Sequence, residues 1–280
     1  SENSVWVLTD DRAGNRTQAI GLAEALGMTY DVKALRFGLR SQMHNLLLGA
    51  SVAGVKSADQ SKLQPPWPRL VIAAGRRTGP VARWVKAQSG RRTKIVLLGR
   101  KGGQDPRPFD AVVTPVHAGL PAHPKRVETM GPLNRVSDQA LDTAAAGANP
   151  FEGLPKPWVA LLVGGATARQ LFGPKEASIL GTEVATAVAG TKGALIAVTS
   201  PRTGATATES LTAVVGEQGQ VLAWRPNDPA NPYLSCLAHG DILVVTGDSE
   251  SMIAEAAATG KAAYIYQLAA NPVSRWLRLG

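Results

Sequence analysis

The sequence predicts an α/β protein of two doubly wound, parallel-sheet domains facing each other across a cleft. Three observations predict it. Short apolar runs of the kind buried in parallel sheets recur along the chain, among them Leu70-Val71-Ile72-Ala73-Ala74 and Val159-Ala160-Leu161-Leu162-Val163. Helix-period segments separate these runs, and that alternation calls for crossover connections and parallel pairing. The pattern breaks once, between residues 136 and 158, where Ala, Gly, Asn and Pro accumulate, and then restarts.

The elements follow in order. Residues 5–8 read as a strand, 9–17 as a polar turn, and Ile20, Leu22, Ala23, Ala25 and Leu26 as the apolar face of a helix ending near Gly27. Residues 30–37 look extended. Strands are expected at 70–74, 94–98, 109–114 and 126–130, with a helix over 81–88. Residues 136–158 read as a helix and then a linker closed by Pro150, Pro155 and Pro157, which sets the two domains at 1–150 and 151–280. In the second domain, strands are expected at 159–163, 194–199, 220–224, 242–245 and 262–266. Helices are expected at 176–188, 208–215, 233–238, 249–259 and 273–279.

Composition narrows the function classes. The 280 residues carry 30 Lys and Arg against 21 Asp and Glu, a net charge of +9 that favours an anionic partner. No nucleic-acid-binding module or basic-aromatic array accompanies it, so nucleic acid is not expected. Cys236 is the one cysteine, which rules out an internal disulfide or a multi-cysteine zinc site; within an apolar helical stretch it reads as a buried small residue. The four histidines are scattered without metal-ligand spacing, and no metal is expected. The first residues show no basic and apolar leader, and the longest weakly polar run, 46–55, is too short to span a bilayer. A cytoplasmic protein, peripheral at most at the inner face of the membrane, is the expectation. Leu46-Leu47-Leu48 reads as a core helix; with Arg36 and Arg40 its other reading is a basic-apolar membrane-docking face.

Ligands of parallel sheets bind beyond the carboxyl ends of the strands, so the post-strand loops are the candidates. The first, residues 9–18, offers Asp10, Asp11, Arg12, Gly14, Asn15 and Arg16. The second places Arg76 and Arg77 after Gly75 at a helix start, where they oppose the helix dipole and suit an anion, or stand as a surface pair. The third, Gly164-Gly165-Ala166-Thr167, resembles a phosphate-cradling turn without the full glycine fingerprint or a P-loop Lys. The fourth holds Thr199, Arg202 and Thr203. The fifth, Thr246-Gly247-Asp248-Ser249-Glu250-Ser251-Met252, joins a strand to a helix whose first amides can receive a phosphate, with Ser249 as N-cap and Glu255 placed for sugar hydroxyls. An ordinary capped helix is the alternative reading. Asn231 and Tyr233 flank Pro232 and can wall a base or sugar pocket. His117 follows a strand and is a candidate general base, or a structural histidine.

These loops together resemble the mitochondrial fission factor-like family. Its pattern is carried by Asp10-Asp11-Arg12-Ala13-Gly14-Asn15 with Gln18, Gly75-Arg76-Arg77, Phe109 to Pro115 with His117, Asn231-Pro232-Tyr233, and Thr246-Gly247-Asp248-Ser249 with Ser251-Met252 and Glu255. Pro201 stands where the family tends to have a second arginine, which weakens an anion role for that loop. The chain stops soon after Asn271-Pro272, where relatives continue into a further helix, so a short or missing closing helix is expected.

The fifth loop is also similar to the second domain of B-type glycosyltransferases. That resemblance implies Ser249 and Ser251 on a diphosphate, Glu255 on a ribose, and a base for the acceptor among Asp10, Asp11 and His117. It implies a metal-independent enzyme with no cofactor, using a nucleotide-diphosphate sugar as donor. Arg76, Arg77 and Arg202 would neutralise the diphosphate, and the acceptor would be a cell-envelope glycan or lipid. The alternative is a non-catalytic scaffold that binds a protein partner.

Overall fold

The computed structural model describes residues 4–99, 105–216, 219–226, 228 and 230–271. The chain forms two compact units, Ser1–Arg135 and Val136–Gly280.

The first unit contains β1 (Val5–Thr9), α1 (Ala13–Ala25), β2 (Tyr30–Ala34), the short helices α2 (Asn45–Leu48) and α3 (Ser57–Gln60), β3 (Leu70–Ala74), α4 (Thr78–Gln88), β4 (Lys94–Leu98), β5 (Ala111–Pro115) and β6 (Arg126–Thr129). Its strands are all parallel in the order β2-β1-β3-β4-β5-β6, with Val5 level with Tyr30 on one side and Leu70 on the other. Alternation along the strands supplies two cores, because successive side chains leave opposite faces. Val5 and Val7 pack with Ala19, Ile20 and Ala23 of α1. Trp6 and Leu8 pack on the other face with Val81, Ala82 and Val85 of α4.

The second unit contains α5 (Asp138–Ala145), β7 (Trp158–Leu162), α6 (Pro174–Thr191), β8 (Ala194–Val198), α7 (Ala205–Val215), β9 (Gly219–Leu222), α8 (Tyr233–His239), β10 (Ile242–Thr246), α9 (Glu250–Ala258) and β11 (Ala262–Tyr266). The parallel order is β11-β10-β7-β8-β9. Val159 and Leu161 face α6 and α7, while Ala160 and Leu162 face Cys236, Leu237, Met252 and Ala256 of α8 and α9. At about 1.5–3 kcal/mol for each large aliphatic side chain buried, these layers dominate the stability of each unit.

The elements expected from the sequence recur, with shifts at their ends that have local causes. Helix α1 begins at Ala13, inside the stretch read as a polar turn, because its first turn is solvated and shows no apolar period. The stretch 146–158, read as a linker, folds onto the second unit: Phe151 is fully buried and stacks on Trp158 at 5.5 Å. Leu46-Leu47-Leu48, read as a core helix, forms the single-turn α2 with Leu47 75% exposed, which corrects that reading. The helix expected at 273–279 lies outside the described residues. Among the described residues no helix is long and apolar enough to cross a membrane.

Candidate functional site

A doubly wound sheet opens a crevice where its strand order reverses, since the loops leaving the two strands there diverge to opposite faces. The first unit reverses between β1 and β3, the second between β7 and β10.

In the second unit, three of the predicted loops meet at that point. The amide of Gly164 donates to Thr246 Oγ1 at 2.8 Å, and that of Gly165 to Asp248 Oδ2 at 2.9 Å. Asp248 Oδ2 also receives an Arg202 guanidinium nitrogen at 2.8 Å; the Asp248 side chain is fully buried and that of Arg202 is 41% exposed. Oδ1 of Asp248 is buried with no hydrogen-bond partner. Only glycine fits the facing turn, because a Cβ on Gly164 would collide with the Asp248 carboxylate and one on Gly165 with the Arg202 carbonyl. Thr203 Oγ1 and Ser200 Oγ both donate to the Gly164 carbonyl, at 2.6 and 2.8 Å. Thr199 Oγ1 accepts from the Trp224 amide at 2.8 Å. The hydroxyls of Thr199, Thr203 and Thr246 are thus turned inward to fix the loops, and Arg202 is the side chain of this cluster that reaches solvent.

Helix α9 starts beside the cluster. Ser249 caps it as its hydroxyl accepts from the Met252 amide at 3.4 Å, and Ser249 and Met252 are both buried. Ser251 lies half-buried in the first turn. Two turns in, Tyr233 Oη of α8 donates to Glu255 Oε2 at 2.6 Å. Burial raises the Glu255 carboxyl above its usual range, the hydrogen bond from Tyr233 partly offsetting this. Burial, followed by the nearby Glu255 charge, holds the Tyr233 phenol well above its usual value. Asn231 Oδ1 accepts from the Tyr233 amide at 3.0 Å and so sets the start of α8. Cys236 is buried inside this layer, and burial pushes its thiol up to about 12, which leaves it protonated and unreactive.

In the first unit the two loops at the reversal point also meet. Asp10 Oδ1 accepts from the Arg12 amide at 3.1 Å and from Asn15 Nδ2 at 3.0 Å. The Asn15 amide packs directly on Gly75, whose φ of +83° and lack of a side chain permit the approach. Gly14 lies beside it in the first turn of α1. Asp11 pairs with Arg77 at 2.8 Å, and Arg77 lies 5.9 Å from the Phe37 ring. Arg76 points elsewhere: its guanidinium donates to the carbonyls of Ser41 and Met43 and to Asn45 Oδ1, while Asn45 Nδ2 returns a bond to the Arg76 carbonyl.

His117 is exposed just beyond β5. Three strand spacings separate β5 from β1, so at about 4.8 Å each it stands roughly 14 Å along the sheet from the Asp10 loop. Ser200 stands in the fourth loop without a role assigned from the sequence, and Trp224, expected as the end of a strand, lies beyond the end of β9 at Leu222 and is 40% exposed there.

A sequence profile described as Mitochondrial fission ELM1 matches residues 13–279. The chain is 29% identical over 246 residues to the Mitochondrial fission protein ELM1 of Arabidopsis thaliana, a match covering 78% of this chain and 56% of the plant protein. The chain thus spans little more than half the length of that relative. It is 24% identical over 298 residues to the uncharacterized protein RP120 of Rickettsia prowazekii (strain Madrid E), covering 94% of this chain and 83% of that one. Among solved structures it is similar to the UDP-GlcNAc 2-epimerase of Neisseria meningitidis bound to UDP-GlcNAc, with a TM-score of 0.55 at 12% identity over 98% of this chain and 85% of that chain. A UDP-glucosyltransferase from Polygonum tinctorium gives a TM-score of 0.52 at 11% identity over 96% of this chain and 81% of that chain. At such identities the likeness establishes the fold, that of the B-type glycosyltransferases and related epimerases. With the profile matched from residue 13 to residue 279, the chain belongs to the mitochondrial fission ELM1 family.

Proposed function

We propose that this chain is a metal-independent glycosyltransferase-like enzyme whose donor is a nucleotide-diphosphate sugar. The observation that carries the reading is the Arg202 guanidinium, held by the buried carboxylate of Asp248 and partly open to solvent beside the start of α9. In this reading the diphosphate takes the amide and hydroxyl of Ser251, the positive end of the α9 dipole and the Arg202 fork. Glu255, with Tyr233 against it, accepts from the ribose hydroxyls, and Asn231 lines the same end of α8. Gly164 and Gly165 let the Asp248 carboxylate and the Arg202 backbone stand close, and so hold the Arg202 fork in place.

The acceptor belongs to the first unit. Asp10, its Oδ1 fixed by Asn15 and the Arg12 amide, uses Oδ2 as general base; Asp11 and Arg77 set the loop beside it, and His117 is the other candidate base. The acceptor oxygen bonds to the anomeric carbon as the bond from that carbon to the diphosphate oxygen breaks. The hydroxyl proton passes to the carboxylate, and the electron pair leaves with the diphosphate, whose charge Arg202 and the helix dipole meet without a metal.

A second reading, a non-catalytic scaffold for a protein partner, is favoured by the inward commitment of the Thr199, Thr203 and Thr246 hydroxyls. Thermal titration separates the two. Millimolar UDP, GDP, ADP or CMP should raise the melting temperature by a few degrees for at least one nucleotide, as expected for about 100-fold excess over Kd. The shift should vanish in Arg202→Ala. A flat response to all four favours the scaffold.

A further inference from the structure

The first unit carries an excursion that the proposed reaction does not use. Residues 38–54 leave the sheet after β2 and return before α3, closed at the base by the Phe37–Val55 bridge and by the Gly38 amide on the Gly54 carbonyl. The excursion is pinned. Arg76 binds two of its carbonyls and the Asn45 side chain, and the Ser51 amide donates to the Pro80 carbonyl. Yet three of its large apolar side chains face outward: Leu39 is 84% exposed, Leu47 75% and Met43 45%. They recur every four residues, and nothing in the first unit's two cores includes them. A rigid loop that holds three aliphatic side chains in water does so against the hydrophobic driving force, so the display calls for a partner.

Charge identifies the partner. From Lys33 to Lys62 the chain has five Lys and Arg and a single acid, Asp59. Asp59 is 1% exposed and bound by Arg36 and Lys62, so it offers no negative charge to an approaching surface. Arg40 and Lys56 are exposed beside the apolar residues, and Arg36 and Lys62 keep 65% and 42% of their side chains in solvent. Exposed apolar side chains on a segment whose own exposed charges are cationic match the boundary of an anionic bilayer, where alkyl groups enter the acyl region and Lys and Arg meet headgroup phosphates; the exposed acids Asp31 and Asp11 lie outside the segment, each already paired with Lys33 or Arg77.

We propose that residues 38–54 dock this chain on an anionic phospholipid surface, with Leu39, Met43 and Leu47 inserted and Arg36, Arg40 and Lys56 on the headgroups. The proposal stands independently of the transferase reading. Because Arg76 ties the excursion to the loop after β3, docking would bring the Asp10–Asn15–Gly75 crevice next to the membrane, where a lipid-linked acceptor could reach it.

Co-sedimentation of the whole chain with vesicles tests it. Phosphatidylglycerol–phosphatidylcholine vesicles should bind the chain at least about 10-fold more tightly than phosphatidylcholine alone, and raised salt should weaken the binding. Leu39→Glu with Leu47→Glu should lose about 10-fold or more, and Arg40→Glu a smaller factor, with melting temperatures unchanged because these side chains are exposed. A wild-type chain that stays in the supernatant with anionic vesicles overturns the proposal. So do variants that pellet like wild type, and so does a wild-type dimer that the double variant dissociates while vesicle binding is unchanged.

Discussion

The guanidinium of Arg202 lies 2.8 Å from Oδ2 of Asp248, and the Asp248 side chain is fully buried. One carboxylate oxygen thus ties together three post-strand loops, through Arg202, the Gly165 amide and its own backbone ahead of α9. Asp248→Ala should cost about 2–4 kcal/mol, since it strands the Gly165 amide and unpairs Arg202, whereas Asp248→Asn keeps an acceptor and should cost less. Gly165→Ala should be at least as damaging, because its Cβ meets backbone that cannot swing away. Chemical denaturation of the three variants checks the order.

Arg76 is a clamp on residues 41–45. Its truncation to Ala should destabilise by about 2 kcal/mol or more, as several donors to main-chain carbonyls are lost together. Arg76→Lys should rescue little, because one ammonium cannot span the fork of acceptors. Hydrogen exchange across residues 41–48 reads the effect directly.

Asp59 supplies an acid-sensitive contribution. Hydrogen bonds from Arg36 and Lys62 hold its carboxyl well below the usual carboxylate range. A depressed folded value stabilises the native state at pH above the unfolded value, and that stabilisation is lost as pH falls through the folded value. Asp59→Asn should therefore lower stability at neutral pH and flatten the decline below about pH 4 seen in urea titrations.

Glu255 acts in the opposite sense. Burial raises its carboxyl, so the folded chain holds the proton more tightly than the unfolded one. Its cost appears as pH rises from the ordinary glutamate range through the folded value and is complete above it. Glu255→Gln should remove that slope and leave stability at pH 7 equal to wild type or higher, while nucleotide affinity falls about 10-fold or more. A variant that loses stability at pH 7 and keeps its affinity would reverse the assignment.

The inner strands were legible because parallel strands buried on both faces must be nearly all apolar, and residues 70–74 and 94–98 have the expected bounds; residues 262–266 have them too, as an apolar edge strand that is largely exposed. The start of α1 was not legible, as the first turn carries Gly14, Asn15 and Arg16 instead of a core face. The short helix at 57–60 was not legible because four residues hold no period, and for the same reason nothing in the sequence showed that the helix at 45–48 is a single turn with Leu47 exposed. In the candidate site, Ser249 as N-cap followed from residue type and position. The use of Arg76 did not: its partners, Ser41, Met43 and Asn45, lie more than 30 positions away and are mostly main-chain carbonyls, which every residue type shares. Likewise the buried setting of Asp248 depends on two glycines 83 and 84 residues earlier, where only the absence of a side chain matters.

The central claim is that the start of α9 with Arg202 receives a diphosphate. A crystal structure of the chain soaked with a nucleoside diphosphate tests it most directly. The diphosphate is expected against Ser251 and the Arg202 guanidinium, with the ribose hydroxyls on Glu255. A nucleotide bound elsewhere, or none at saturating concentration, would contradict it.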